Sequence, residues 1–132
     1  MIAADSSSVV AYIGRAEGQD VDLIEAAMAA DELRLPPPVV AELLSRPSWD
    51  VDRLLSTVPL LDITDGFWAR AGRNRALLLA KGLRAGLADT LVAQCCIDSG
   101  AALVARDRDY RHFVEHCGLQ MASRPPARPS SS

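Results

Sequence analysis

Four carboxylates, Asp5, Glu42, Asp89 and Asp107, stand at positions from which an α/β fold brings them to one place. Mg²⁺ and Mn²⁺ are hard ions that prefer oxygen ligands, and Mg²⁺ commonly sits on a few carboxylates together with a substrate phosphate. Several carboxylates held close together repel one another unless a cation lies between them. A metal so held lowers the pKa of a bound water, polarises a phosphoryl oxygen and stabilises a leaving alkoxide, and two such ions clamp both ends of an in-line displacement. The chemistry indicated is hydrolysis of a phosphodiester. The sequence does not decide between one ion and two.

The elements that must carry these acids can be read from apolar runs. Met1-Ile2-Ala3-Ala4 leads into Asp5, and Ala101-Ala102-Leu103-Val104-Ala105 leads through Arg106 to Asp107, so each reads as a buried strand finished by an acid. Open parallel sheets bind ligands beyond the carboxyl ends of their strands, which is where both acids fall. Glu42 and Asp89 come from helices. Pro36, Pro37 and Pro38 suit a loop and first helical turn, which puts Glu42 about one turn in. Asp89 opens the run Asp-Thr-Leu-Val-Ala-Gln-Cys-Cys-Ile, near a positive helix terminus that favours its ionised form.

The remaining pattern alternates. Strand 2–5 is followed by a short helix to about 15, a helix over 20–31 with Val21, Ile24, Ala27 and Met28 at helical spacing, and a brief strand over 33–35. The Glu42 helix ends near 45 before Pro47, a short helix spans 50–56, and a strand is expected over 58–61. Thr64 or Asp65 is the expected cap of a long helix reaching Lys81, where Gly82 suits its end. The Asp89 helix stops near Gly100; then come strand 101–105, a short helix over 109–116 and a last strand over 119–122. Strands separated by helices predict an α/β/α three-layer sandwich around a central, mainly parallel sheet. One domain over 1–122 is expected, with a Pro/Ser-rich tail over 123–132 that lacks apolar periodicity.

Four segments, taken in order, resemble the PIN domain family. They are Ile2-Ala-Ala-Asp5-Ser-Ser-Ser-Val-Val10, Val39-Val-Ala-Glu42-Leu-Leu-Ser45-Arg46, Gly86-Leu-Ala-Asp89-Thr-Leu-Val-Ala93 and Leu103-Val-Ala-Arg-Asp107-Arg-Asp109-Tyr110. Within that family the chain is similar to the VapC-type ribonuclease toxins of bacterial toxin-antitoxin operons. The resemblance implies a Mg²⁺- or Mn²⁺-dependent endoribonuclease with Asp5, Glu42, Asp89 and Asp107 as catalytic metal ligands, direct or through water. Ser7 and Asp109 would be accessory, and the products a 3′-hydroxyl and a 5′-phosphate. A cognate antitoxin and homodimerisation are implied too. Ala105 departs from the pattern, standing where the family often has Thr or Ser, and so removes one hydroxyl contact to the acids. Two other readings stay open: a PIN-like module that binds RNA or protein without turnover, and a housekeeping PIN nuclease outside any toxin operon.

Charge distribution says more than net charge. The formal value of −3 does not by itself suggest a nucleic-acid binder, but from Gly66 to Ser132 basic residues lead acidic ones ten to five. Arg70, Arg73, Arg75 and Arg84 fall in a stretch without acids, and Arg106 and Arg108 adjoin the acid motif, so these six are the candidates for RNA phosphates, with Arg111 beside the second group open to the same contact. The plainer alternatives are a solvated helix face for the first group and pairing with acids for the second.

Other classes fit less well. Cys95, Cys96 and Cys117 are odd in number and lack metal-ligand spacing, so neither a disulfide framework nor structural zinc is expected, and the first two read as small core residues. His112 and His116, four residues apart, read as a helix face because no other zinc-protease motif accompanies them. A phosphatase with an Asp nucleophile usually needs a second Asp two residues on, and position 7 is Ser. Trp49 and Trp68 are expected in core or interface packing rather than base stacking. With no bilayer-length apolar stretch and no basic-then-apolar leader, a cytoplasmic location is expected.

Overall fold

The first strand is built from residues small enough to be enclosed on both faces. The computed structural model describes residues 1–106 and 109–123. In it β1 (Ile2–Ala4) lies inside a four-stranded sheet, with Ala3 and Ala4 wholly buried. The other strands are β2 (Leu33–Arg34), β3 (Ala102–Val104) and β4 (Gln120–Met121), in the order β2-β1-β3-β4. Every pairing is parallel: Ile2 lies opposite Leu33 and Ala102, and Leu103 opposite Met121. Parallel strands need covered crossovers. Those crossovers are α1 (Ser6–Ile13), α2 (Gln19–Ala29), α3 (Pro37–Leu44), α4 (Trp49–Thr57), α5 (Phe67–Ala80), α6 (Leu87–Ser99) and α7 (Arg111–Cys117). The expected α/β sandwich with a parallel sheet is the fold found.

Two expected elements differ in detail. The strand over 58–61 reduces to a single bridge between Leu35 and Leu60, closed by Leu35 N–H to Pro59 O at 3.0 Å and Leu61 N–H to Leu35 O at 2.9 Å. Pro59 has no N–H with which to carry the ladder further back. The long helix begins at Phe67 rather than at a Thr64 or Asp65 cap, because Gly66 takes the cap position at φ 81°, a left-handed conformation that glycine adopts without strain. Thr64 is used otherwise, its hydroxyl accepting from Arg70.

The core is mostly aliphatic. Ile24 of α2, Val39 and Leu43 of α3, Leu78 of α5, Val92 of α6 and Leu103 of β3 are all buried, and Tyr110 and Phe113 close the end nearest α7. Cys95 and Cys96 are buried in the same core as expected, and burial pushes the Cys95 thiol up to about 12. Both tryptophans depart from the core reading. Trp49 is 71% exposed with the Arg53 guanidinium 5.3 Å from its ring centroid, and Trp68 is 66% exposed, edge-on to Phe67. Among the described residues no helix is long and apolar enough to cross a membrane.

A polar network ties α5 to α6. Arg70 donates to both Asp98 oxygens, at 3.1 and 2.7 Å; Gln94 donates to Asp98 at 2.8 Å and accepts from Asn74 at 2.7 Å. The Arg70 hydrogen bond, opposed by burial and aided by Gln94, holds the Asp98 carboxyl below its ordinary value of 3.8. A depressed carboxylate pKa gives stability that is complete above the ordinary value and is lost as pH falls through the folded one. Asp98→Ala should therefore lower the melting temperature at neutral pH, and the deficit should shrink in acid, below the ordinary carboxylate range. A deficit that stays undiminished as the pH is taken well below that range in thermal denaturation would rule out the ion pair as its source.

Candidate active site

Asp5 is placed by backbone alone. Its N–H continues the ladder past β1, donating to Val104 O at 2.9 Å, while its own carbonyl accepts from Val9 N–H at 3.1 Å as α1 begins. The residue thus ends a strand and caps a helix at once, and it is only 6% exposed. Its side chain does not cap α1. The Ser7 hydroxyl donates to Asp5 Oδ2 at 3.3 Å, so the accessory serine does meet the acid.

Glu42 comes from α3, which Pro37 starts as expected of proline at the first helical position. Although Glu42 as a residue is exposed, its carboxyl is pushed above its ordinary value of 4.5, first by partial burial and then by the Asp5 charge, against a hydrogen bond with Ser6. That coupling puts Glu42 and Asp5 within each other's field. Asp89 lies in the first turn of α6, half-buried, where the helix terminus favours its charge. Asp109 is exposed and lines the same cleft as Asp89. Asp107 and Arg108 lie outside the described residues.

Tyr110, a residue to which the motifs assigned no role, reports on the whole arrangement. It is 1% exposed, and among the described residues its hydroxyl meets no acceptor in full hydrogen-bonding geometry. Its phenol is nonetheless close enough to Asp5 to interact. Burial, then the Asp5 and Asp89 charges, then that contact and the Glu42 charge push its pKa far above the ordinary phenol range. Three of the four acids therefore converge on one buried ring. A buried polar tip directly after an acidic motif was the only hint in the sequence, and nothing there distinguished it from a core tyrosine.

Among the described residues no three His, Cys, Asp or Glu side chains are grouped tightly enough to hold a metal ion. Asp5, Glu42 and Asp89 share a field without closing a cage by themselves. The donor chemistry still suits a hard divalent cation, being carboxylate oxygen throughout, and the Asp5 charge that raises Glu42 is the kind of repulsion a shared cation relieves. Of the two histidines, His116 is exposed and sits 3.8 Å from Glu115, while His112 is half-buried and lines the Asp89 cleft.

The six basic candidates divide. Arg70 is committed to Asp98, and Arg106 donates to both Asp20 oxygens, at 3.0 and 3.1 Å, and to Glu17 O. Acid pairing, one of the two alternatives for Arg106, is thus what the fold contains. Arg75 spends its Nε on Ala85 O at 2.8 Å. Arg73 and Arg84 are exposed, and Arg84 lines the Asp89 cleft.

A family model described as PIN domain matches residues 2–115. This chain belongs to the PIN domain family. It is 31% identical over 133 residues to a VapC ribonuclease of Mycobacterium bovis and, equally, to ribonuclease VapC11 of Mycobacterium tuberculosis, covering 93% of this chain and 98% of each relative. Its fold matches the VapBC2 structure from Rickettsia felis, bound to a promoter DNA fragment, with a TM-score of 0.72 at 22% identity, covering 92% of this chain and 98% of that one. VapBC-1 from nontypeable Haemophilus influenzae matches with a TM-score of 0.68 at 16% identity, covering 93% and 98%. The resemblance seen in the four acid segments is thus that of the chain as a whole.

Tyr110→Phe removes a buried oxygen without a fully formed hydrogen bond and keeps the ring. The variant is expected to hold or raise the melting temperature in metal-free buffer. A loss larger than about 1.5 kcal/mol, the size of a complete hydrogen bond, would instead show that the contact with Asp5 carries stability.

Proposed function

We propose that this PIN-domain protein is an endoribonuclease that hydrolyses RNA, acts as the toxin of a toxin-antitoxin pair, and uses Mg²⁺ or Mn²⁺ at Asp5, Glu42, Asp89 and Asp107. The observation that carries the reading is the convergence of Asp5, Glu42 and Asp89 on Tyr110 at the carboxyl end of β1. The relatives named as ribonucleases, matched over nearly their whole length, support the reaction class, and the VapBC likeness supports an antitoxin partner.

In hydrolysis the water oxygen joins phosphorus, the P–O3′ bond breaks, and O3′ takes up a proton, leaving a 3′-hydroxyl and a 5′-phosphate. When bound, the ion supplies charge for the phosphoryl oxygens and acidifies the attacking water. Asp5 and Asp89 are held by strand end and helix start, so little reorganisation is needed to present their oxygens. Ser7 restrains the Asp5 rotamer through its hydroxyl. Asp109 adds negative charge at the mouth of the Asp89 cleft. The homodimer and the cytoplasmic setting belong to the same reading, through the family.

The decisive experiment is cleavage of a mixed RNA panel by antitoxin-free protein in Mg²⁺, Mn²⁺ or EDTA, beside Asp5→Asn and Asp89→Asn, with Mn²⁺ binding followed by calorimetry. Cutting should vanish in EDTA and drop at least ~100-fold in each variant, the scale of losing several kcal/mol of charge stabilisation. Each variant should also bind Mn²⁺ more weakly. Undiminished cleavage in EDTA, or Mn²⁺ affinity untouched by both substitutions, would refute the metal assignment. An intact, metal-loaded protein that leaves every RNA whole would favour a binding role.

A further inference from the structure

Two clefts open beside the acids, and each contains one of the carboxylates that act on Tyr110. The first, about 670 Å³, is lined by Asp89 and Asp109 together with Arg84, Arg111 and His112. The second, about 550 Å³, is lined by Glu42 with Ser6, Ser7, Ser45 and Arg46. They share no lining residue. Both fall in the ~300–1,000 Å³ range of ligand sites, and each sets at least one carboxylate and at least one arginine in its wall.

The arginines of these clefts differ from the two that are tied up in ion pairs. Arg70 and Arg106 are consumed by Asp98 and Asp20. No ion pair or side-chain hydrogen bond among the described residues engages Arg46, Arg84 or Arg111, and all three are exposed. Their backbones are nevertheless fixed. Arg46 follows α3, its N–H bonded to Leu43 O at 3.0 Å, and the loop carrying Arg84 is pinned where Arg75 Nε meets Ala85 O at 2.8 Å. An uncommitted guanidinium on a fixed backbone is suited to bidentate phosphate contact.

We infer that the two clefts are the two arms of one RNA track, each taking the sugar-phosphate chain on one side of the scissile bond. Arg46 holds a phosphate in one arm, and Arg84 with Arg111 holds one in the other. The inference rests on the ribonuclease reading above and adds to it the requirement for nucleotides on both sides of the cut. It also names which basic residues bind substrate: Arg46 and Arg111, outside the basic stretch of α5, in place of Arg70 and Arg106.

The test uses the full chain with Mg²⁺ and an RNA from the panel whose cleavage position has been mapped. Wild type, Arg46→Ala and Arg84→Ala are compared on that RNA and on two shortened forms, each trimmed to one nucleotide on one side of the cut. Each variant should raise KM on the long RNA roughly tenfold, the cost of about one charge-assisted contact, with thermal melting unchanged. The Arg84→Ala penalty should disappear on one trimmed RNA and the Arg46→Ala penalty on the other. Unchanged KM in both variants, or both penalties disappearing on the same trimmed RNA, would overturn the track while leaving the ribonuclease intact. Wild type that cuts none of the panel would remove both readings.

Discussion

A carboxylate that is nine-tenths buried at the end of the most enclosed strand sets the terms for the rest of the molecule. Burying an ionised group costs several kcal/mol unless partners or a cation replace its water. Asp5 is held there because its backbone has no freedom to leave: its amide completes the β1–β3 ladder through Val104 O and its carbonyl begins α1. The surroundings follow from that constraint. Ser7 donates to it, Glu42 is drawn up by it, and Tyr110 turns a hydroxyl toward it. A fold built for stability alone would place an uncharged cap at this strand end.

Charge elsewhere is arranged in the opposite sense, as closed pairs. Asp98 takes Arg70 and Gln94, and Asp20 takes both Arg106 donors. These pairs bind elements far apart in sequence, α5 to α6 and the β3–α7 connection to the start of α2. Arg106 adjoins Asp107 in the chain, so its tie to Asp20 anchors the segment from which the proposed fourth acid departs. The two kinds of site divide the work: the arginine–aspartate pairs hold helices in place, and Asp5 and Glu42 lie within each other's field at the strand end. Basic composition was therefore a poor guide to substrate contact, since the arginines nearest to acids in space are those already satisfied by them.

How much of this could be read from the sequence depended on how local the cause was. The strands expected over 2–5 and 101–105 each end one residue sooner, at Ala4 and Val104, while helix starts at Pro37 and near Asp89 and the burial of Cys95 and Cys96 follow from runs of a few residues and stood as expected. The strand over 58–61 did not, because a missing N–H at Pro59 matters only once the partner strand is known. Of the core or interface packing expected for Trp49 and Trp68, the core half does not hold, since both are exposed. Trp49 begins the short α4 and stacks with Arg53 at the surface, which no spacing rule reveals. The Arg106–Asp20 pair spans 86 residues and was equally out of reach, apart from the general alternative that an arginine beside acids pairs with one.

The role of Tyr110 shows why the site was only half legible. Sequence motifs mark groups whose chemistry is evident from type, and a phenol beside an acidic motif has an equally good explanation as hydrophobic filling. Its geometry separates the two. Tyr110 keeps its hydroxyl buried and within reach of Asp5, and it lies where the Asp5, Asp89 and Glu42 charges all act on it. Ala105 contributes no hydroxyl to the same region, whereas Ser7 and Tyr110 both bring one to Asp5. The buried ring also keeps water away from one side of the strand end, which strengthens each carboxylate's field on its neighbours. The acids are thus coupled through a low-dielectric wall that the core itself provides, and the site is as much a product of packing as of the four acidic residues.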